Sequence, residues 1–160
     1  VSSLVDHFSV FVVLASTPLY TSTSPYAGGE LEAFNFPNPF NLESKTRSLN
    51  LNAGGGTFSS GSVQVTTRGT IIRVGVPRSV AGQGKLKIYN LAGELVREYD
   101  CGYLDGSAGA SGSGTYYYFE WDGRNGAGRE VASEVYLGEF TVGGKRKIWK
   151  MAVVKDSKYR

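Results

Sequence analysis

Carboxylates gather in one stretch of this chain, between Glu120 and Glu134. Asp122, Asn125 and Glu130 are oxygen donors of the kind that a hard cation such as calcium takes. A helix-flanked calcium loop spaces its carboxylates at alternate positions, whereas Gly123, Arg124 and Gly126 intervene here, so a turn accounts for these residues better than a metal. Glu120 with Asp122, and Glu130 with Glu134, are pairs of the type that cleave glycosides, one carboxyl acting as acid and the other as base or nucleophile. Yet residues two apart on a strand share a face whether or not they do chemistry, and no aromatic-lined cleft is implied by the pattern; ordinary surface charges are the expectation. Cys101 is the only cysteine, so the fold is not stapled by an internal disulfide. As a nucleophile it would need a base, and the only histidine, His7, is remote in sequence. A buried, unreactive thiol is expected.

His7-Phe8-Ser9 resembles the self-cleavage site of certain β-rich domains and of adhesion-receptor juxtamembrane domains. There a strained backbone lets the serine hydroxyl attack the preceding carbonyl with histidine as base, which would make Phe8–Ser9 the scissile bond. Such a site needs an intact domain around it, so a strand starting at His7 with Ser9 at a polar edge is favoured. Among the 10 tyrosines, Tyr116-Tyr117-Tyr118 would form a contact stripe for sugar or protein only if they shared a face. On a strand they alternate: Tyr117 is expected inward, and Tyr116 and Tyr118 outward and exposed, with cross-strand pairing favoured over ligand binding.

The elements that must position these groups are strands. The 160 residues suit one domain with a core of its own. Abundant Gly, Tyr, Val and Thr favour short strands and tight turns, and no helical period is evident. The net charge of +3 is modest, although Lys and Arg crowd the segment from Gly143 to Arg160. There Lys147, Lys150 and Lys155 interleave with Ile148, Trp149, Met151 and Val153, the pattern of a strand's solvated face, so nucleic-acid binding is not expected. No apolar run reaches the ~18 residues of a spanning helix, so no membrane insertion is expected. The apolar run Phe8 to Ala15 follows Asp6 rather than a basic start, unlike a signal peptide. A start at Val1 suggests a processed product or a piece of a longer chain.

Three segments follow. Residues 1–16 read as an apolar strand, with Phe8, Val10, Phe11, Val12, Val13 and Leu14 as its buried positions. Such a strand needs a sheet: that of a neighbouring copy, of an upstream domain, or of its own domain. Residues 17–33 read as a Thr/Ser/Pro/Gly linker. Residues 34–160 read as an antiparallel β-sandwich of about seven strands, all of them from Val63 onward. Pro37 and Pro39 bar a central strand position. The organising stretch is Phe119 to Val142, two strands joined by a glycine-rich turn in which Asp122 can bond backbone N–H groups two residues on and the Trp121 indole needs an acceptor.

Several motifs in order carry a resemblance. They are Asn38-Pro39-Phe40-Asn41, Thr70-Ile71-Ile72-Arg73, Lys87-Ile88-Tyr89-Asn90-Leu91-Ala92-Gly93-Glu94-Leu95-Val96-Arg97, Trp121-Asp122-Gly123-Arg124-Asn125 with Gly128, Val131-Ala132-Ser133 with Val135-Tyr136, and Lys150-Met151. From about Asn38 to Lys155 the chain resembles the immunoglobulin-like domain first named from the flagellar hook-capping protein. Similar domains end large secreted and cell-surface bacterial proteins, some as sorting or attachment modules. The resemblance implies an immunoglobulin-like sandwich with no cofactor and no catalysis. Glu134 departs from the family's usual glycine, and the gap from Asn41 to Thr70 is long enough to add a hairpin built on Leu49, Leu51, Val63 and Val65.

The expectation is therefore a non-enzymatic, extracellular structural module that builds or anchors a cell-surface assembly, a filament-type subunit linked through its N-terminal strand. Its partner would be itself, as homo-oligomer or filament, or an upstream domain of the same polypeptide. The alternatives are a C-terminal sorting domain of a larger secreted protein and a carbohydrate-binding module.

Overall fold

The computed structural model describes residues 14–15, 20–49, 63–109 and 112–155. Every regular element among them is a strand: β1 Leu14–Ala15, β2 Tyr20–Tyr26, β3 Glu32–Phe36, β4 Ser44–Leu49, β5 Val63–Arg68, β6 Thr70–Val76, β7 Ala81–Tyr89, β8 Leu95–Asp105, β9 Gly114–Trp121, β10 Val135–Val142 and β11 Lys145–Ala152. One sheet has the order β1-β8-β7-β10-β11, a second β2-β9-β6-β3, and β4 and β5 form a separate hairpin. All pairings are antiparallel except β1 with β8. The expected all-β antiparallel sandwich is the observed architecture, and the strands expected from Val63 onward are β5 to β11.

Period-two alternation builds the core. Ile72, Val74 and Val76 of β6 and Tyr117, Phe119 and Trp121 of β9 face Leu86 and Ile88 of β7 and Tyr136, Phe140 and Val142 of β10. The Phe119 and Phe140 rings lie 5.6 Å apart. Trp121 meets Phe40 and Tyr136 edge-on at 5.5 and 5.6 Å, closing one end of the core with three aromatic side chains.

The long gap after Asn41 does add a hairpin, with Leu49 opposite Val63 and Arg47 opposite Val65; Leu51 lies outside the described residues. β3 stops at Phe36, before Pro37, and is an edge strand, where a missing N–H costs no ladder bond. Among the described residues only glycines have positive φ, so Glu134 turns the chain without the left-handed conformation that a glycine would offer.

Two expectations are corrected. Residues 17–33 are not simply a linker, because β2 pairs with β9 and the sandwich starts well before residue 34. Thr and Tyr are strand formers, and Pro25 is tolerated because β2 is an edge strand whose register shifts between Thr21 and Pro25. Tyr116 and Tyr118 do leave the core face that Tyr117 occupies, but they are buried rather than exposed. With Tyr26, Ile71 and Phe36 they form a second apolar cluster on the other face of that sheet. There the Tyr26 ring lies across Gly75, where any side chain would meet it at 3.0 Å, and the Arg73 guanidinium sits 4.1 Å from the Tyr116 ring centroid and 4.6 Å from that of Phe34. Of the N-terminal strand, Leu14 and Ala15 run parallel to Tyr99 and Asp100 of their own chain at the edge of β8, where an edge strand presents unpaired backbone groups. Phe8, Val10, Phe11, Val12 and Val13, like His7 and Ser9, lie outside the described residues.

Candidate functional site

The turn after β9 is built by its own polar groups. Asp122 Oδ1 accepts the Arg124 backbone N–H at 3.0 Å, and the Trp121 indole N–H donates to the Arg124 carbonyl at 3.0 Å. Asn125 Oδ1 accepts the N–H groups of Ala127 and Arg129, both at 3.0 Å. The Arg124 guanidinium donates to the Gly128 carbonyl at 2.7 Å and stands 3.7 Å from Glu130. A bond from the Val131 N–H to the Gly123 carbonyl closes the loop. The six residues singled out in the sequence, Trp121, Asp122, Gly123, Arg124, Asn125 and Gly128, are thus brought together as one turn.

The carboxyl and amide oxygens of this turn are surrounded by donors. Asp122, Asn125 and Glu130 direct their oxygens at backbone N–H groups and guanidinium groups, the surroundings of an anion rather than a cation. Glu120 accepts the Arg68 backbone N–H at 2.6 Å, and burial raises its carboxyl above the ordinary range. Cys101 sits in the core, where burial pushes its thiol up to about 12, so it is held as the neutral thiol.

The residue that ends the motif starting at Lys87 locks the turn to the sheet, a role its sequence context did not announce. Arg97 of β8 has a side chain only 10% exposed. Its Nη1 donates to the carbonyls of Arg124 at 3.0 Å and Asn125 at 3.1 Å, and lies 3.5 Å from Asp122 Oδ1. Its guanidinium is 4.6 Å from the Tyr99 ring centroid. All three contacts fall on Nη1, so one end of the guanidinium meets two carbonyls and a carboxylate while its plane lies by the Tyr99 ring.

The β7–β8 turn repeats the design. Asn90 Oδ1 accepts the N–H groups of Ala92 at 3.0 Å and Glu94 at 2.9 Å, as Asn125 does for Ala127 and Arg129. Each asparagine also donates its own N–H to the carbonyl four residues on. The signal was present in the sequence as Asn90-Leu91-Ala92-Gly93 and Asn125-Gly126-Ala127-Gly128.

Between the two turns runs an open groove of about 780 Å³. Val96, Val131, Ala132 and Tyr136 contribute its apolar lining, and Glu94, Glu98, Glu130 and Glu134 its acidic groups. Gly126 N–H donates to the Val96 carbonyl at 2.9 Å, so the second turn covers the β8 edge just before the place where β1 joins it. Glu130 is engaged by Arg68 at 3.1 Å and Glu98 by Lys85 at 3.5 Å, whereas Glu94 and Glu134 take part in no ion pair among the described residues. Leu91 and Leu95 stand exposed beside the groove.

No protein-family model, curated protein or solved structure matches the chain.

Proposed function

We propose that this domain is a non-enzymatic structural module of an extracellular or cell-surface assembly, joined to its neighbour through the N-terminal strand. The observation that supports this reading is the seat of β1. Among the described residues, Leu14 and Ala15 pair with the sheet, in parallel, at the outer edge of β8. An edge contact of this kind is exchangeable: an identical strand from another copy fits the same edge with the same bonds, which is the logic of strand addition and swapping. The polar groups of the turn after β9 are consumed in holding the turn, consistent with a structural role. The hook-capping resemblance points the same way.

Deleting residues 1–16 tests this. The truncated protein should fold, as judged by circular dichroism and a cooperative melt, and should sediment as a monomer where the full chain forms oligomers or filaments visible by electron microscopy. Assembly that survives the deletion overturns the reading.

A further inference from the structure

We propose that copies of this chain also stack end to end, the β10–β11 hairpin of one copy entering the acidic groove of the next. This rests on the assembly reading above but uses a different surface.

The pairing registers place the two surfaces at opposite ends of the sandwich. Tyr89 pairs with Leu95 and with Leu137, so the β7–β8 turn, the start of β10 and the groove share one end. Ala81 pairs with Asp105 and Val142 with Lys145, which puts the Gly143-Gly144 tip at the other. At ~3.3 Å per residue, the length of β10 separates them by roughly 25 Å.

The groove and the hairpin differ in charge, the groove lining holding four carboxylates against the single Arg97 guanidinium. At the groove, Glu94 and Glu134 are exposed and paired with no cation among the described residues. At the hairpin, Lys145 and Lys147 are exposed, lie two apart on β11 and therefore on one face, and likewise join no ion pair among the described residues. Arg78 is exposed at the same end. The hairpin tip is two glycines without side-chain bulk, a narrow object for an open groove. Leu91 and Leu95, 63% and 52% exposed, supply apolar surface beside the groove for the incoming strands to cover. Because unlike patches meet, the contact is heterologous; the copy whose groove is filled keeps its hairpin free and its neighbour keeps its groove free, so the array grows unless it closes into a ring.

The experiment is a double charge reversal on the full chain. One variant carries Glu94→Lys and Glu134→Lys, the other Lys145→Glu and Lys147→Glu, all at exposed positions, with folding checked by circular dichroism and melting. Sedimentation velocity should show each variant associating about tenfold more weakly than the parent, as two lost ion-pair contacts imply. An equimolar mixture of the two should regain association, since each hairpin then meets a groove of opposite sign. Added salt should weaken the parent and the mixture alike. Unchanged association in both variants overturns the proposal, as does a mixture that fails to recover or a parent that is monomeric at every concentration. If the reversals have no effect while deletion of residues 1–16 abolishes assembly, the strand-linked reading stands and the end-to-end contact falls. If the reversals act and the deletion does not, the outcome is the opposite.

Discussion

Asn38 and Ala152 are bonded as two strand residues would be, although Asn38 belongs to no strand. The Ala152 N–H donates to Asn38 Oδ1 at 2.9 Å, while Asn38 Nδ2 donates to the Lys150 carbonyl at 3.0 Å. The side-chain amide thus presents an acceptor and a donor to the edge of β11 in place of a backbone. Phe40 continues the cover, its N–H donating to the Ala152 carbonyl at 3.0 Å and its carbonyl accepting the Val154 N–H at 2.8 Å. One edge of the five-stranded sheet is therefore closed, which leaves the β8 edge as the place for strand addition.

Replacing Asn38 by Ala removes both amide bonds. At this exposed site the loss should be about 1–2 kcal/mol. Hydrogen exchange should show the Ala152 amide losing protection, and Asn38→Asp, which keeps the acceptor and loses the donor, should fall between.

Arg97→Ala leaves the Arg124 and Asn125 carbonyls and Asp122 without their shared donor. We expect a loss of about 3 kcal/mol, seen as a lower denaturant midpoint at an unchanged slope. Arg97→Lys should recover only part, because it keeps the charge and a nitrogen donor but loses the planar group beside the Tyr99 ring. Full recovery by lysine would show that charge alone holds the turn.

Gly93 and Gly128 have φ of 84° and 83°, and a side chain at either would meet nothing within 4 Å. Their replacement by Ala therefore isolates the backbone cost of the left-handed conformation, about 1–2 kcal/mol at each turn. Equal losses in the two variants would confirm that the turns are energetically equivalent; a much larger loss at Gly128 would mean that its turn carries contacts the Asn90 turn lacks.

Alkali should destabilise the fold. The Cys101 thiol rises from an ordinary 9.0 to about 12 by burial, and burial raises the Tyr99 hydroxyl as well. Folded protein therefore keeps protons that the unfolded chain releases. Their contribution is complete below pH 9 and declines as pH climbs toward 12. Denaturant midpoints measured from pH 8 to 11 should fall, and Cys101→Ala should flatten part of that slope. A flat profile in the parent protein would contradict the burial of these groups.

Much of the sandwich was legible because its signals are local. Leu86 and Ile88, Tyr117 and Phe119, and the Asn90 turn announce strands and their reversal within a few residues. What was missed depends on partners far along the chain. Thr17 to Gly29 looks like a linker until β9 offers it an edge. Tyr116 and Tyr118 look exposed until Tyr26 and Phe36 cover the second face. Neither the bond between Asn38 and Ala152 nor the docking of Arg97 under the Trp121 turn leaves a local mark, and the groove exists only because the β7–β8 hairpin turn meets the β9–β10 connection that crosses between the sheets. The repeated asparagine turn was the one readable clue to it.

The chain enters the molecule by touching one sheet and then the other: β1 lies on the β8 edge, and β2, a few residues later, lies on β9. A mechanical load drawn through the N-terminus should therefore be met in two stages. The contact of Leu14 and Ala15 at the β8 edge meets the load first, and the pairing of β2 with β9 is a second latch before either sheet is pulled open. A subunit tethered in this way stretches before it breaks.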